Sequence, residues 1–135
     1  MEYNEFLDQV QQQGNLQSRD EAEDAVRTTF NMLARRLPSS ASGQLADQLP
    51  PELGRYFEQE RYSETESFSL ETFFKRVNEE EGLDTSTASQ YVRAVMSTLR
   101  NALNQEQYTQ LRTQLPEEFV SMFDTGGEQA VAQGS

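Results

Sequence analysis

Tyr3-Asn4-Glu5-Phe6-Leu7-Asp8-Gln9-Val10 and Leu70-Glu71-Thr72-Phe73-Phe74-Lys75-Arg76-Val77 carry the same apolar spacing. Tyr3, Phe6, Leu7 and Val10 fall at i, i+3, i+4 and i+7, as do Leu70, Phe73, Phe74 and Val77. That spacing lines up four apolar side chains on one face of a helix. The likeness continues downstream. Leu16 keeps register with Leu83, and after a single-residue gap Ala22, Val26, Arg27, Leu33 and Leu37 match Ala88, Val92, Arg93, Leu99 and Leu103. Gln44-Leu45 then matches Gln110-Leu111, and Gln48-Leu49-Pro50 matches Gln114-Leu115-Pro116. Glu52 and Phe57 close the unit against Glu118 and Phe123. Positions that match in unbroken order over a whole unit predict a tandem duplication.

Each copy reads as helical. Gly82, and Gly14-Asn15 in the first copy, suit the ends of the opening helices, because a helix C-terminus favours a residue at ease with positive φ. Ser18-x-x-Glu21 is a capping box that opens a long helix with the stripe Ala22, Ala25, Val26, Phe30, Leu33 and Leu37. Arg35-Arg36 complement the negative end of its dipole, and Pro38 ends it. Its counterpart runs from about Thr85 to Leu103, after which Asn104-x-x-Gln107 is placed to cap a short helix. That short helix carries Leu45 and Leu49 in one copy, and Tyr108, Leu111 and Leu115 in the other. The Leu-Pro step breaks it and starts a last helix bearing Leu53, Tyr56 and Phe57, matched by Phe119, Met122 and Phe123. No stretch alternates with period two and there is no Ile, so the predicted class is all-α. Each unit is a helix, a long helix and two short helices, repeated over 1–57 and 70–123. Residues 58–69 are expected to form an acidic linker, with Ser67 or Ser69 capping the next helix, and residues 124–135 a disordered tail. At roughly 55 residues, one copy alone is expected to be marginally stable. The two are therefore expected to pack as one body with approximate twofold symmetry.

The chemistry available is narrow. The 135 residues contain no Cys and no His, which removes disulfides, thiolate metal sites, a Cys nucleophile and the commonest general base. The formal net charge is −12, with negative charge in every segment and Lys75 the one lysine. Nucleic-acid affinity is dominated by phosphate neutralisation, so no nucleic-acid partner is expected, and anionic membrane surfaces are disfavoured for the same reason. No apolar run approaches the ~20 residues of a membrane span, and no basic-then-apolar leader opens the sequence.

The duplicated pattern resembles a bacterial family, Domain of Unknown Function family 2267. The likeness rests on the opening Phe6/Val10 and Phe73/Val77 helices, on Ala22-x-x-x-Val26-Arg27 and Ala88-x-x-x-Val92-Arg93, and most of all on the endings Gln48-Leu49-Pro50-x-Glu52 and Gln114-Leu115-Pro116-x-Glu118. It covers about residues 3–123. It implies an all-helical protein of the bacterial cytosol with no established activity, so it assigns no catalytic residue.

From the residues themselves, no catalytic, cofactor-binding or metal site is expected. Glu79-Glu80-Glu81 is the densest acidic run, but neighbours on a helix point about 100° apart and cannot converge on one ion. A solvated helix end is the expectation there. Glu52 and Glu118 fall in a first helical turn, where a carboxylate complements the dipole and can accept amide hydrogens. Gln48 and Gln114 either serve that turn or point outward. Arg27 and Arg93 recur in mid-helix beside the apolar stripe. They are expected to be structural, their guanidinium groups meeting carbonyls or carboxylates, and the competing role is an anion clamp. The function these features favour is a non-enzymatic protein-interaction or adaptor module with a protein partner, using an exposed groove or aromatic patch near Tyr56, Phe57, Tyr62 and Phe68. The alternative is a small-molecule-binding or sensory domain with a pocket between the two repeats.

Overall fold

Most of the local signals are used where they stand. The computed structural model describes residues 1–59 and 65–124, and among them it contains helices and no strand. Helix α1 (Tyr3–Gly14) ends at Asn15, which takes the left-handed conformation with φ 54°. Helix α2 (Arg19–Arg36) is capped by Ser18, whose Oγ accepts the Glu21 N–H at 3.2 Å. The Glu21 carboxylate reaches one residue further than in a capping box and accepts the Gln17 N–H at 2.7 Å. Helices α3 (Ser39–Gln48) and α4 (Pro51–Glu58) follow, each entered through a proline that has no side-chain oxygen to cap with. Ser69 caps α5 (Leu70–Glu81), which stops at Gly82 with φ 68°. Asp84 caps α6 (Thr85–Ala102) through the Thr87 N–H at 2.8 Å. Both arms of the predicted Asn104/Gln107 box form on α7 (Gln105–Thr113). Helix α8 (Glu117–Val120) tightens directly into a 3-10 turn, Ser121–Asp124.

The long helices α2 and α6 touch each other and organise the rest. Helix α1 packs on α2 and on α6, and α5 packs on α6 and on α2. The opening helix of each half therefore lies against the long helix of both halves. Two polar contacts mark those crossings: the Gln90 amide donates to the Gly14 carbonyl at 2.8 Å, and the Thr28 hydroxyl donates to the Glu81 carboxylate. Glu79 and Glu80 are exposed, as expected of a solvated helix end, whereas Glu81 is half-buried on α2. Helix α4 closes over α2, and the 3-10 turn closes over α6. The core is continuous. Phe30 meets Phe6 edge-on at 5.8 Å and Phe57 at 4.6 Å, and Phe73 meets Phe119 at 5.8 Å. Leu33, Leu37, Leu49, Leu99, Leu103 and Leu115 are all buried.

Two expectations are corrected. Tyr56, Phe57 and Phe68 are buried, so they form no exposed aromatic patch; Tyr62 lies outside the described residues. Their apolar spacing was legible, but its direction was not, because α4 turns its whole aromatic flank onto α2. The linker expectation for 58–69 also changes. Helix α4 runs through Glu58, residues 60–64 lie outside the described residues, and residues 65–69 are docked on the end of α2. The last carbonyls of a helix lack intrahelical donors. Here the Glu66 N–H supplies one to the Arg35 carbonyl at 2.9 Å, and the Thr65 hydroxyl another to the Leu37 carbonyl at 3.2 Å. Phe68 is held by Arg76, whose guanidinium lies 4.5 Å from the ring centroid, and by Arg36, which donates to the Phe68 carbonyl at 3.0 Å. Arg76 also pairs with Glu66 at 2.9 Å. The expected tail falls outside the described residues beyond Asp124.

Candidate functional site

Helices α3 and α7 are short, amphipathic, and held from behind. Helix α3 buries Ala41, Ser42, Gly43 and Leu45. It approaches α4 so closely that a Cβ on Gly54 would lie 2.6 Å from the Ala46 carbonyl oxygen. Helix α7 buries Tyr108 and Leu111. The Tyr108 ring meets Phe123 edge-on at 5.3 Å and lies under the Arg100 guanidinium at 4.7 Å. With their inner faces committed in this way, the two helices leave a cleft between them. Ala41, Gln44, Leu45 and Gln48 line it from α3, and Gln107, Gln110, Leu111 and Gln114 from α7 and its C-cap. Buried leucines form the floor and exposed or half-exposed glutamines the rim.

None of those eight side chains ionises at any ordinary pH. Gln107 is already engaged, since its Oε1 accepts the Asn104 N–H at 3.0 Å. A glutamine amide carries donors and an acceptor, so the rim offers both kinds of hydrogen bond without charge. The cavity in the cleft is about 10 Å³, room for about one water molecule. Pockets that engulf small molecules run to roughly 300–1,000 Å³ and cover most of the ligand. This one is a shallow groove.

The repeated turn residues divide. Gln48 and Gln114 point into the groove, Leu49 and Leu115 into the core, and Pro50 and Pro116 are the N-caps of α4 and α8. Glu52 and Glu118 lie in the first turns of α4 and α8, behind the N-cap prolines. Arg27 and Arg93 come apart. Arg27 forms an exposed pair with Asp24, one turn away, at 2.9 Å. Arg93 donates from Nε to Ser89 Oγ at 3.1 Å and lies 5.8 Å from the Phe74 ring centroid, meeting a hydroxyl and an aromatic face rather than a carboxylate. Neither lines the groove. Gln44, Leu45, Gln110 and Leu111 were visible in the sequence as a repeated dipeptide. Nothing in that dipeptide says that the two copies face each other across a cleft.

Burial, then a 2.5 Å hydrogen bond to Glu23, raises the Tyr3 hydroxyl above its ordinary range. Burial and the charges of Glu21 and Glu81 raise Tyr91, and the Thr87 N–H lowers Asp84. Each shift moves away from pH 7. Among the described residues no three carboxylates gather to hold a metal ion, and no helix is long and apolar enough to cross a membrane.

A family model described as an uncharacterized conserved protein, DUF2267, matches residues 3–122. The chain belongs to this family. The DUF2267 match runs from the first residue of α1 into the 3-10 turn, so the whole groove falls inside it. No curated protein matches the sequence.

Proposed function

We propose that this DUF2267 chain is a non-enzymatic protein-interaction module of the bacterial cytosol, an adaptor that docks its partner on the α3/α7 groove. One observation carries the reading: in a chain of net charge −12, the groove is lined by eight side chains of which none is ionisable. Uncharged amides around an apolar floor suit a protein surface, since interface centres are depleted of charge. The shallow, open shape argues for a protein partner over the alternative of a small-molecule or sensory pocket between the halves. The pKa shifts directed away from neutrality, together with the lack of His and Cys, support a role other than catalysis.

The module is, in this proposal, a tandem duplication of a four-helix unit. Helices of 12, 18, 10 and 8 residues are followed by helices of 12, 18 and 9 residues and a short closing helix. The groove supports the same idea, because Gln44, Leu45 and Gln48 on one wall are the sequence counterparts of Gln110, Leu111 and Gln114 on the other. The test is affinity capture from bacterial lysate with the wild-type chain and with a Gln44→Glu/Gln110→Glu variant. A partner bound by the first and lost by the second, with unchanged circular dichroism, is the expected result. Equal capture by both would overturn the assignment of the groove. A metabolite that raises the melting temperature of the wild type, with no protein captured, would turn the assignment to the small-molecule alternative.

A further inference from the structure

We infer that residues 65–69 form a latch, a charge-clamped strap that lifts off the end of α2 ahead of unfolding. None of the residues that hold it lines the α3/α7 cleft, so the latch is independent of the interaction reading above. Little of the strap is sunk in the core. Phe68 is its one buried side chain; Thr65, Ser67 and Ser69 are exposed and Glu66 is half-buried. Its backbone belongs to no helix, so the segment has no regular structure of its own to hold it in place. Hydrogen bonds tie it to α2 instead. The Glu66 N–H donates to the Arg35 carbonyl at 2.9 Å, the Thr65 hydroxyl to the Leu37 carbonyl at 3.2 Å, and the Arg36 Nε to the Phe68 carbonyl at 3.0 Å.

The clamp is made by one arginine from α2 and one from α5. The Arg76 guanidinium pairs with the Glu66 carboxylate at 2.9 Å, and its Cζ lies 4.5 Å from the Phe68 ring centroid. The Arg36 Cζ lies 6.0 Å from the same centroid and 5.4 Å from that of Phe119. Two cations drawn to one ring repel each other. The electron-rich faces of the ring and the Glu66 carboxylate offset that repulsion. The strap therefore supplies the negative charge that lets Arg36 and Arg76 stand together. Its ion pair is open to solvent, with the Arg76 and Glu66 side chains 33% and 41% exposed. Dissolved ions reach the pair and weaken it.

The contacts beneath do not pass through the strap. Phe73 meets Phe119 at 5.8 Å and Phe74 at 6.4 Å, and both Phe73 and Phe119 are fully buried. Toward the other end of the α2/α5 crossing, the Thr28 hydroxyl bonds to the Glu81 carboxylate. Lifting the strap thus uncovers the Arg35 and Leu37 carbonyls and the flank of Phe73, while α2 and α5 stay joined. Salt acts on latch and body with opposite signs. Screening loosens the Arg76–Glu66 pair, whereas in a body of net charge −12 it relieves self-repulsion and favours the compact state.

Amide hydrogen exchange, followed by NMR on the full chain, tests this at two sites. The amide of residue 66 reports the strap, and that of Leu99, buried in α6, reports the fold. Residue 66 should exchange through openings at least ~10 times more frequent than those that expose Leu99. Going from about 0.01 M to about 1 M sodium chloride cuts the screening length from roughly 30 to 3 Å. That change should speed residue 66 about two- to fivefold, the range of an exposed ion pair, and leave Leu99 no faster. Arg76→Gln loses the ring contact as well, so in low salt it should speed residue 66 about tenfold with Leu99 unchanged. In Glu66→Gln the salt response should vanish. Four results would each overturn the latch: both amides exchanging through one shared opening, a wild-type rate at residue 66 indifferent to salt, an Arg76→Gln rate there no faster than wild type, or a salt response that survives Glu66→Gln.

Discussion

Gly54 and Gly82 are glycines for different reasons, and alanine separates them. At Gly54 a Cβ would lie 2.6 Å from a backbone oxygen of α3, so α3 and α4 must move apart; overpacking of this kind costs about 1–3 kcal/mol. At Gly82 nothing lies within 4 Å, and the cost is that of a side chain at positive φ, roughly 1–2 kcal/mol. Urea denaturation should show both losses. Arg27 makes an exposed pair one turn along its own helix, and such pairs contribute about 0.5 kcal/mol or less. Arg27→Ala should therefore melt close to wild type. A large loss would mean that its stem packs on the core after all. Asp84 gives a pH signature. Its lowered folded pKa means that the charged carboxylate stabilises the fold above the ordinary value of 3.8, and that this contribution is lost as pH falls through the lowered pKa. The stability gap between wild type and Asp84→Ala should be full at neutral pH and close in strong acid, read by denaturation at a series of pH values. At this scale the sequence was informative wherever chemistry is local. Ser18, Ser69, Gly82 and the Asn104/Gln107 pair all do what their residue types predict. The fates of Arg27 and Arg93 were not legible, because each depends on which helix face meets a neighbour.

Among the elements, the segment 65–69 departs furthest from its composition. Ser, Glu and Thr around one phenylalanine read as linker, yet Phe68 is 8% exposed and the backbone of the segment completes the C-terminus of α2. No periodicity exists in five residues to reveal this, and the donors it supplies are needed by carbonyls some thirty positions earlier, which no local signal encodes. Phe68→Ala should cost about 3 kcal/mol, the low end for a buried aromatic, and should speed hydrogen exchange at the Glu66 amide, which is bonded to the Arg35 carbonyl. Unchanged exchange there would show that Thr65 and Glu66 hold the segment without the ring. The Leu-Pro turns behave as their sequence predicts. Leu49 and Leu115 are buried, and Leu→Ala at either should cost about 2–5 kcal/mol by thermal or urea unfolding.

At the scale of the molecule, the pairing of helices matters more than their list. The order of long and short helices was legible from apolar spacing, and so was the class. That α1 crosses onto α6 and α5 onto α2 was not, because an apolar stripe states that a face is buried without naming what buries it. The groove has the same origin. Its walls come from the two halves, and the neutral face arises when that pairing brings α3 beside α7. The consequence is cooperative: neither half completes its core without the other, so damage to one long helix must be felt in both. Hydrogen exchange read by mass spectrometry on Leu99→Ala tests this most directly, since Leu99 is fully buried in α6. The interlocked fold predicts that protection falls together in α1, α2, α5 and α6, by an amount matching the global loss of about 2–5 kcal/mol. Loss confined to α5 and α6, with α1 and α2 as protected as in the wild type, would contradict it.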